Sequence, residues 1–446
     1  MTYVPLTDDE RASMLSSIGV SSVEALFADV PATHRYPDLD LPPPKSELQV
    51  MRELRAFSEM NVDLNHHTSF LGAGAYQHYI PSVVNHILLR GEFYTAYTPY
   101  QPEISQGTLQ ALYEYQSMIC ALTGLPIANA SHYDGATALA EGVLMAHNVL
   151  RGKRHKALLS SAIHPEYRQV IQTYIQGMEI EIDLEKELDA LQAAIDDDTF
   201  CVAIQNPNFF GELYDIDKLQ ALAETAHAHK ALFIVVGYPI ALGMIQPPGA
   251  YGADIAVGEA QPLGNALNYG GPYIGYFACQ EKHVRKMAGR LVGQTVDADG
   301  TRGFVLTLST REQHIKRERA TSNICTNQSL CALASAVYLS ALGRCGLRRV
   351  AELCYHKAHY LASAIDRLEG YRLIARRPFF NEFVIECPKS VQAINAALLE
   401  QGIVGGLDLS TFYPDMENKM LLCATEIHSR QMMDHLVRVL EKEQAR

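Results

Sequence analysis

Between residues 157 and 279 the chain alternates short apolar runs with amphipathic helices, and this alternation limits the fold more than any other feature. Strands are expected at 157–162, 178–182, 200–205, 231–236, 254–257 and 273–279, with helices between them at 165–176, 185–195 and 216–229. The strand runs are mostly apolar rather than alternating, as strands buried on both faces must be. An α/β fold follows, with a mainly parallel sheet and helices on both faces.

Upstream, Leu109, Leu112, Tyr115, Ile119 and Leu122 mark one helical face, closed by Gly124, and a second helix is expected over 134–150. Residues 1–60 read as a short helix, an extended arm and another helix. The prolines at 31, 37 and 42–44 bar an α-helix in the arm. Ser46 and Gln49 then open a capping box, and Leu48, Met51, Leu54 and Phe57 form one apolar stripe. Residues 62–104 are rich in Gly, Pro, Tyr and His and show weak periodicity, which is uncommon inside a compact domain and often functional. After about residue 325, long helices at 328–342 and 347–368 precede short strands near 371–375, 382–386 and 420–425 and a terminal helix from 427. The expected domains are an N-terminal helical arm (1–60), a large α/β domain (61–325) and a small C-terminal α+β domain (326–446).

Composition narrows the partners. With 37 basic and 50 acidic residues the net charge is −13, which argues against nucleic acid. No apolar run of about 20 residues is expected to span a bilayer. The polar, acidic start MTYVPLTDDERASML resembles neither a secretory signal nor a transit peptide. The nine cysteines are scattered without a Cys-x-x-Cys pair, so reduced thiols in a cytoplasmic protein are expected, each a small core residue. His66/His67, His78/His86 and His227/His229 lack a ligand pattern, and no metal site is expected. Gly72-Ala73-Gly74 lacks the third glycine of a dinucleotide fingerprint, and no Gly-Lys-Ser/Thr loop occurs, so nicotinamide and ATP are poorly supported.

The segment ASHYDGATA at 130–138 is more informative. It precedes a helix, so its N–H groups and hydroxyls form an anion site. The same residues serve equally as an ordinary N-cap by Ser131 or Asp134. Together with the layout, this resembles the fold-type I enzymes of pyridoxal phosphate (PLP). That resemblance implies an Asp at one strand end for the pyridinium nitrogen, and a Lys roughly 25 residues later for the aldehyde. Neither is present. The first strand runs into Gly237-Tyr238-Pro239 and the later one into Gly258-Glu259-Ala260-Gln261-Pro262, with no lysine between Lys230 and Lys282. Asp254 lies at the wrong end of its strand and is expected to cap or pack.

Longer segments sharpen the resemblance. FLGAG at 70–74, YTAYTPYQPEISQG at 94–107, NAS at 129–131, GRLVGQT at 289–295, FVLTL at 304–308, REQHI at 311–315 and ATSNICTNQ at 320–328 are similar to the P-protein family of the glycine cleavage system. Arg319 departs from the pattern, which more often has Lys there. The family occurs as one long chain of two homologous halves or as two subunits, and the N-terminal half lacks the PLP lysine. The resemblance therefore implies a non-cofactor subunit, with no catalytic residue in this chain alone. It implies glycine as substrate, PLP on the partner subunit, an α2β2 heterotetramer, and transfer of the aminomethyl group to the lipoyl group of the H-protein.

On that reading Tyr94, Tyr97, Thr98, Tyr100, Gln101, Glu103 and Ser105 line the partner's substrate channel, or else only pack the interface. Thr321, Ser322, Asn323 and Thr326 support the partner's PLP phosphate, or else cap the following helix. Ser131, His132, Thr137, Gly237 and Gln261 are expected to remain as a vestigial cofactor pocket. Two other readings stand beside it: an autonomous PLP enzyme using Lys230 or Lys282, and a non-catalytic scaffold.

Overall fold

The computed structural model describes residues 6–185, 187–320 and 322–444, which form two compact units, Met1–Val62 and Asp63–Arg446. The first unit holds a helix at Asp8–Ile18, capped by a Thr7–Glu10 capping box and ended by Gly19 in the left-handed region. A single 3-10 turn, Ala32–His34, interrupts the proline-rich arm. The second helix, Glu47–Glu59, carries the expected Ser46–Gln49 capping box. Its apolar stripe of Leu48, Met51, Leu54 and Phe57 is exposed, and no described residue of this unit is buried.

In the second unit, β1 (Thr68–Ser69) comes first. The stretch expected to be irregular contains two short helices, Ser82–Leu88 and Gly91–Tyr94, and the turn Pro102–Ile104. Helices Gln106–Thr123 and Gly135–Val149 follow, with Gly124 left-handed at the end of the first. The central sheet is built from β2 (Ile127–Ala128), β3 (Lys156–Ser160), β4 (Glu181–Glu185), β5 (Thr199–Asn206), β6 (Leu232–Gly237), β7 (Ile255–Glu259) and β8 (Gly275–Cys279). Its order is β2-β8-β7-β6-β5-β3-β4. Neighbours from β4 through β7 run parallel, while β8 is antiparallel to both β7 and β2. The apolar runs reflect burial on both faces. Leu232, Ile234 and Val236 of β6 join the core under helix Gly135–Val149, and Phe233 and Val235 join the core under helix Ile216–Ala228.

Strand β4 lies about three residues later than expected, and the next helix shortens to Leu188–Ala193. The cause is its edge position. It is largely exposed, so it lacks the apolar run that marks the inner strands. The hairpin β9 (Leu291–Val296) and β10 (Arg302–Thr307) also escapes the strand pattern, because much of it is exposed or half-buried.

The remainder is α+β. The long helix Ser329–Ile365 breaks at Gly343, where φ is 60°. By length and composition alone it could cross a bilayer, but the break at Gly343 divides it and about 44% of its apolar window is buried in this fold. The elements β11 (Arg372–Ile374), β12 (Glu382–Glu386), β13 (Ile403–Val404), β14 (Leu407–Asp408) and β15 (Lys419–Cys423) follow. Four of them form an antiparallel sheet, β11-β12-β15-β14, while β13 pairs with β1. The terminal helix is Arg430–Gln444.

Candidate functional site

Ligands of parallel α/β sheets bind beyond the carboxyl ends of the strands. Here that end is filled from within. Glu259, the last residue of β7, is buried and turns its carboxylate onto the start of helix Gly135–Val149. Gly135 N–H donates to Oε2 at 3.0 Å, and Gln261 N–H donates to Oε1 at 2.9 Å. Burial pushes the Glu259 carboxyl up to about 8. The helix start that the sequence offered as an anion site is therefore occupied by the chain's own carboxyl group. Asp134 is its N-cap, in a capping box with Thr137.

The two landmark positions are equally committed. At the end of β6, the Gly237 carbonyl accepts from the Tyr276 hydroxyl at 2.9 Å. A Cβ at Gly237 would lie 2.7 Å from that hydroxyl, so any side chain there must displace it. The Gln261 amide spans the backbone of Tyr76, accepting from its N–H and donating to its carbonyl, each at 3.0 Å. The cavity left among Gly74, Tyr76, His164, Gly237, Tyr238 and Glu259 is about 30 Å³, room for roughly two waters. Of the five residues expected to form a vestigial pocket, only Gly237 lines it. Ser131 accepts from Gln328 N–H at 3.1 Å, with its own φ at 147°. His132 is buried and stacks on Phe277, 4.9 Å between ring centroids, and burial lowers its pKa to about 3. Thr137 is spent on the cap. Lys230, two residues before β6, and Asp254, immediately before β7, lie at the opposite ends of these strands, and Lys282 pairs with Asp254 at 3.3 Å. Asp254 packs there as expected, holding His227 at 2.7 Å and Phe233 N–H at 3.0 Å.

The loop residues behave differently. Tyr94 and Tyr97 are 65% and 82% exposed and border an apolar groove with Leu112, Leu330 and Leu333. Gln101 and Glu103 are exposed, and Ser105 precedes helix Gln106–Thr123 without a side-chain cap. Ser322 donates to buried Glu141 at 2.6 Å, and burial pushes that carboxyl up to about 7. Asn323 is exposed, Thr326 is half-buried, and neither caps the helix that starts at Ser329. Thr321 lies outside the described residues.

Sequence reasoning missed the residue that joins these loops. Arg290 is 2% exposed and sits beside Thr98 and Tyr100 on one side and Cys325 and Asn327 on the other. Its signal was present, as a basic residue inside GRLVGQT, but only packing reveals that it is buried. Two cysteines also depart from expectation: Cys325 and Cys345 are exposed rather than core. Among the described residues, His78, Cys354 and Glu426 bring possible metal donors within 4.8 Å, though each already holds a hydrogen bond to a neighbour.

The model of the glycine cleavage system P-protein family matches residues 1–440. The chain belongs to that family. A P-protein relative from Thermomicrobium roseum, named a probable glycine dehydrogenase (decarboxylating) subunit 1, is 53% identical over 99% of both chains. The crystal structure of a glycine decarboxylase (P-protein) in inhibitor-bound form is 44% identical, with a TM-score of 0.90 over 99% of this chain and 100% of that one. A glutamate decarboxylase from Lactobacillus brevis shares 12% identity and a TM-score of 0.68 over 94% of this chain and 97% of its own. That likeness shows the fold alone, the fold-type I architecture of this P-protein chain.

Proposed function

We propose that this chain is the non-cofactor subunit of a two-subunit glycine dehydrogenase (decarboxylating), working in the cytoplasm as part of an α2β2 heterotetramer. Its partner carries PLP, which supplies the electron sink for decarboxylation when bound there. The aminomethyl group goes to the lipoyl group of the H-protein. The observation that carries this reading is the closed carboxyl end of the central sheet. The residues present do not fit PLP. Gln261 and Gly237 stand where a lysine and an aspartate are needed, Glu259 takes the phosphate-type helix start, and about 30 Å³ remains. Lys230 and Lys282 lie at the wrong ends of the strands to replace the missing anchor.

What the chain offers instead is the loop face. Tyr94, Tyr97, Thr98, Tyr100, Gln101, Glu103 and Ser105, with Ser322, Asn323 and Thr326, line or support the partner's site; Thr321 belongs to the same proposal. Exposed tyrosines of this kind are common interface anchors. Co-expression with the second subunit tests the reading. Borohydride-reducible chromophore is expected on the partner alone, and glycine–CO2 exchange only when both chains are present. A reducible chromophore on this chain, or full exchange by the partner alone, overturns it.

A further inference from the structure

A guanidinium that is almost wholly buried must spend its N–H groups inside the protein, because an unmet donor there is costly. Arg290 spends its two Nη groups on two separate loops, while its buried Nε makes no hydrogen bond and faces Glu312. Nη1 lies 3.4 Å from Thr98 Oγ1 and 3.4 Å from Asn327 Oδ1. Nη2 donates to the Tyr100 hydroxyl at 2.9 Å and to the Cys325 carbonyl at 3.0 Å. Its charge is balanced by Glu312, equally buried, 3.3 Å from Nε. The plane also sits over the Tyr100 ring, 5.2 Å from its centroid. One rigid, planar group therefore fixes the distance between residues 98–100 and residues 325–327, which are more than 200 positions apart in sequence.

The direction of these bonds matters. Arg290 has only donors to give, so Thr98 and Tyr100 both receive through their oxygen atoms. Each hydroxyl keeps its own proton, free to donate elsewhere. Thr98 is half-buried and Tyr100 47% exposed, so both protons are available at the loop face. Two oriented hydroxyl donors near a buried positive charge suit an anionic acceptor, a carboxylate or a phosphate.

We propose that Arg290 is a positioning residue. It aims the Thr98 and Tyr100 hydroxyls at an anionic group presented in the partner subunit's site, and it locks the 325–327 loop at the matching distance. This rests on the reading that the two loops are lent to the partner. A lysine cannot replace it, because one ammonium cannot span both loops in a fixed plane, although it preserves the charge beside Glu312.

The test uses the assembled two-subunit complex and glycine–CO2 exchange, with R290K, Y100F and the double variant. R290K is expected to lower kcat by about 10–100-fold with little change in KM for glycine, since misplacing a group by about an ångström has that effect. In the double variant the two losses should overlap, because Arg290 acts through Tyr100. Additive losses overturn the proposal. So does wild-type kcat in R290K while Y100F is impaired, which leaves the lent-loop reading intact. If R290K and Y100F both keep wild-type kcat, that reading falls as well. Should R290K fail to assemble, Asn327→Ala removes one guanidinium acceptor and decides the matter through the same cycle with Y100F: overlapping losses support the proposal, and additive or absent losses overturn it.

Discussion

The carboxyl end of the central sheet and the loops around Arg290 are both rich in polar side chains, yet they use them in opposite ways. At the sheet end, Glu259, Gln261 and Tyr276 each bond to the chain's own backbone, and the space closes to about 30 Å³. Around Arg290 the charge is balanced internally, while Tyr100 and Thr98 beside it accept from the guanidinium and keep their hydroxyl protons for the loop face. The lesson is physical. A site for a ligand that the chain does not hold is closed by internal hydrogen bonds, because open buried polar groups are destabilising. A site completed by a partner leaves its donors unspent until the partner arrives.

The most severe way to break this contrast is to rebuild the missing landmarks. Gly237→Asp puts a carboxylate against the buried Tyr276 hydroxyl and near Glu259. Stability should fall by about 3 kcal/mol or more, read from the urea midpoint of the isolated chain. Gln261→Lys restores the anchor type without that clash. Incubated with PLP and borohydride, it should still give no reduced chromophore, since the helix start remains held by Glu259. A stoichiometric chromophore would show that the sheet end is open after all.

How much of this was legible in sequence follows the same division. The inner strands were placed well because burial on both faces leaves a continuous apolar run, as in Leu232–Gly237. Edge strand Glu181–Glu185 was misplaced because half-exposed strands carry no such run. The absence of a lysine near Gln261 could be read directly, being a matter of residue identity. What fills the gap could not. Glu259 meets Gly135 across 124 positions, and Arg290 meets Thr98 across 192. No local pattern encodes either contact, and a lone Glu or Arg looks like a solvated charge until the fold buries it.

A milder probe is pH. Burial raises the carboxyl groups of Glu259 to about 8 and of Glu141 and Glu382 to about 7. Each binds its proton more tightly folded than unfolded. Their contribution is therefore complete below about pH 4.5 and is lost as pH rises through 7 to 8. Buried neutral His132, lowered to about 3, acts oppositely, but its effect is finished by about pH 6.5. Stability should thus decline between pH 6.5 and 8.5. Glu259→Gln should flatten that decline while shifting the plateau by roughly 1–3 kcal/mol. A urea midpoint that rises across this window, or an unchanged slope in the variant, would place the Glu259 carboxylate in a more solvated setting than the sheet end described here.

The smallest expected change in the isolated chain comes from Tyr97→Ala, and it is the sharpest test of the loop face. Tyr97 is 82% exposed, so its removal should alter stability by less than about 0.5 kcal/mol. Assembly with the second subunit is another matter. A tyrosine that becomes buried at an interface contributes roughly 1–2 kcal/mol. The dissociation constant of the two-subunit complex should then rise about 5–30-fold, measured by titrating one labelled subunit with the other. Equal, small effects on both measurements would mean that Tyr97 stays in solvent. The unspent side chains of this face would then need a different occupant.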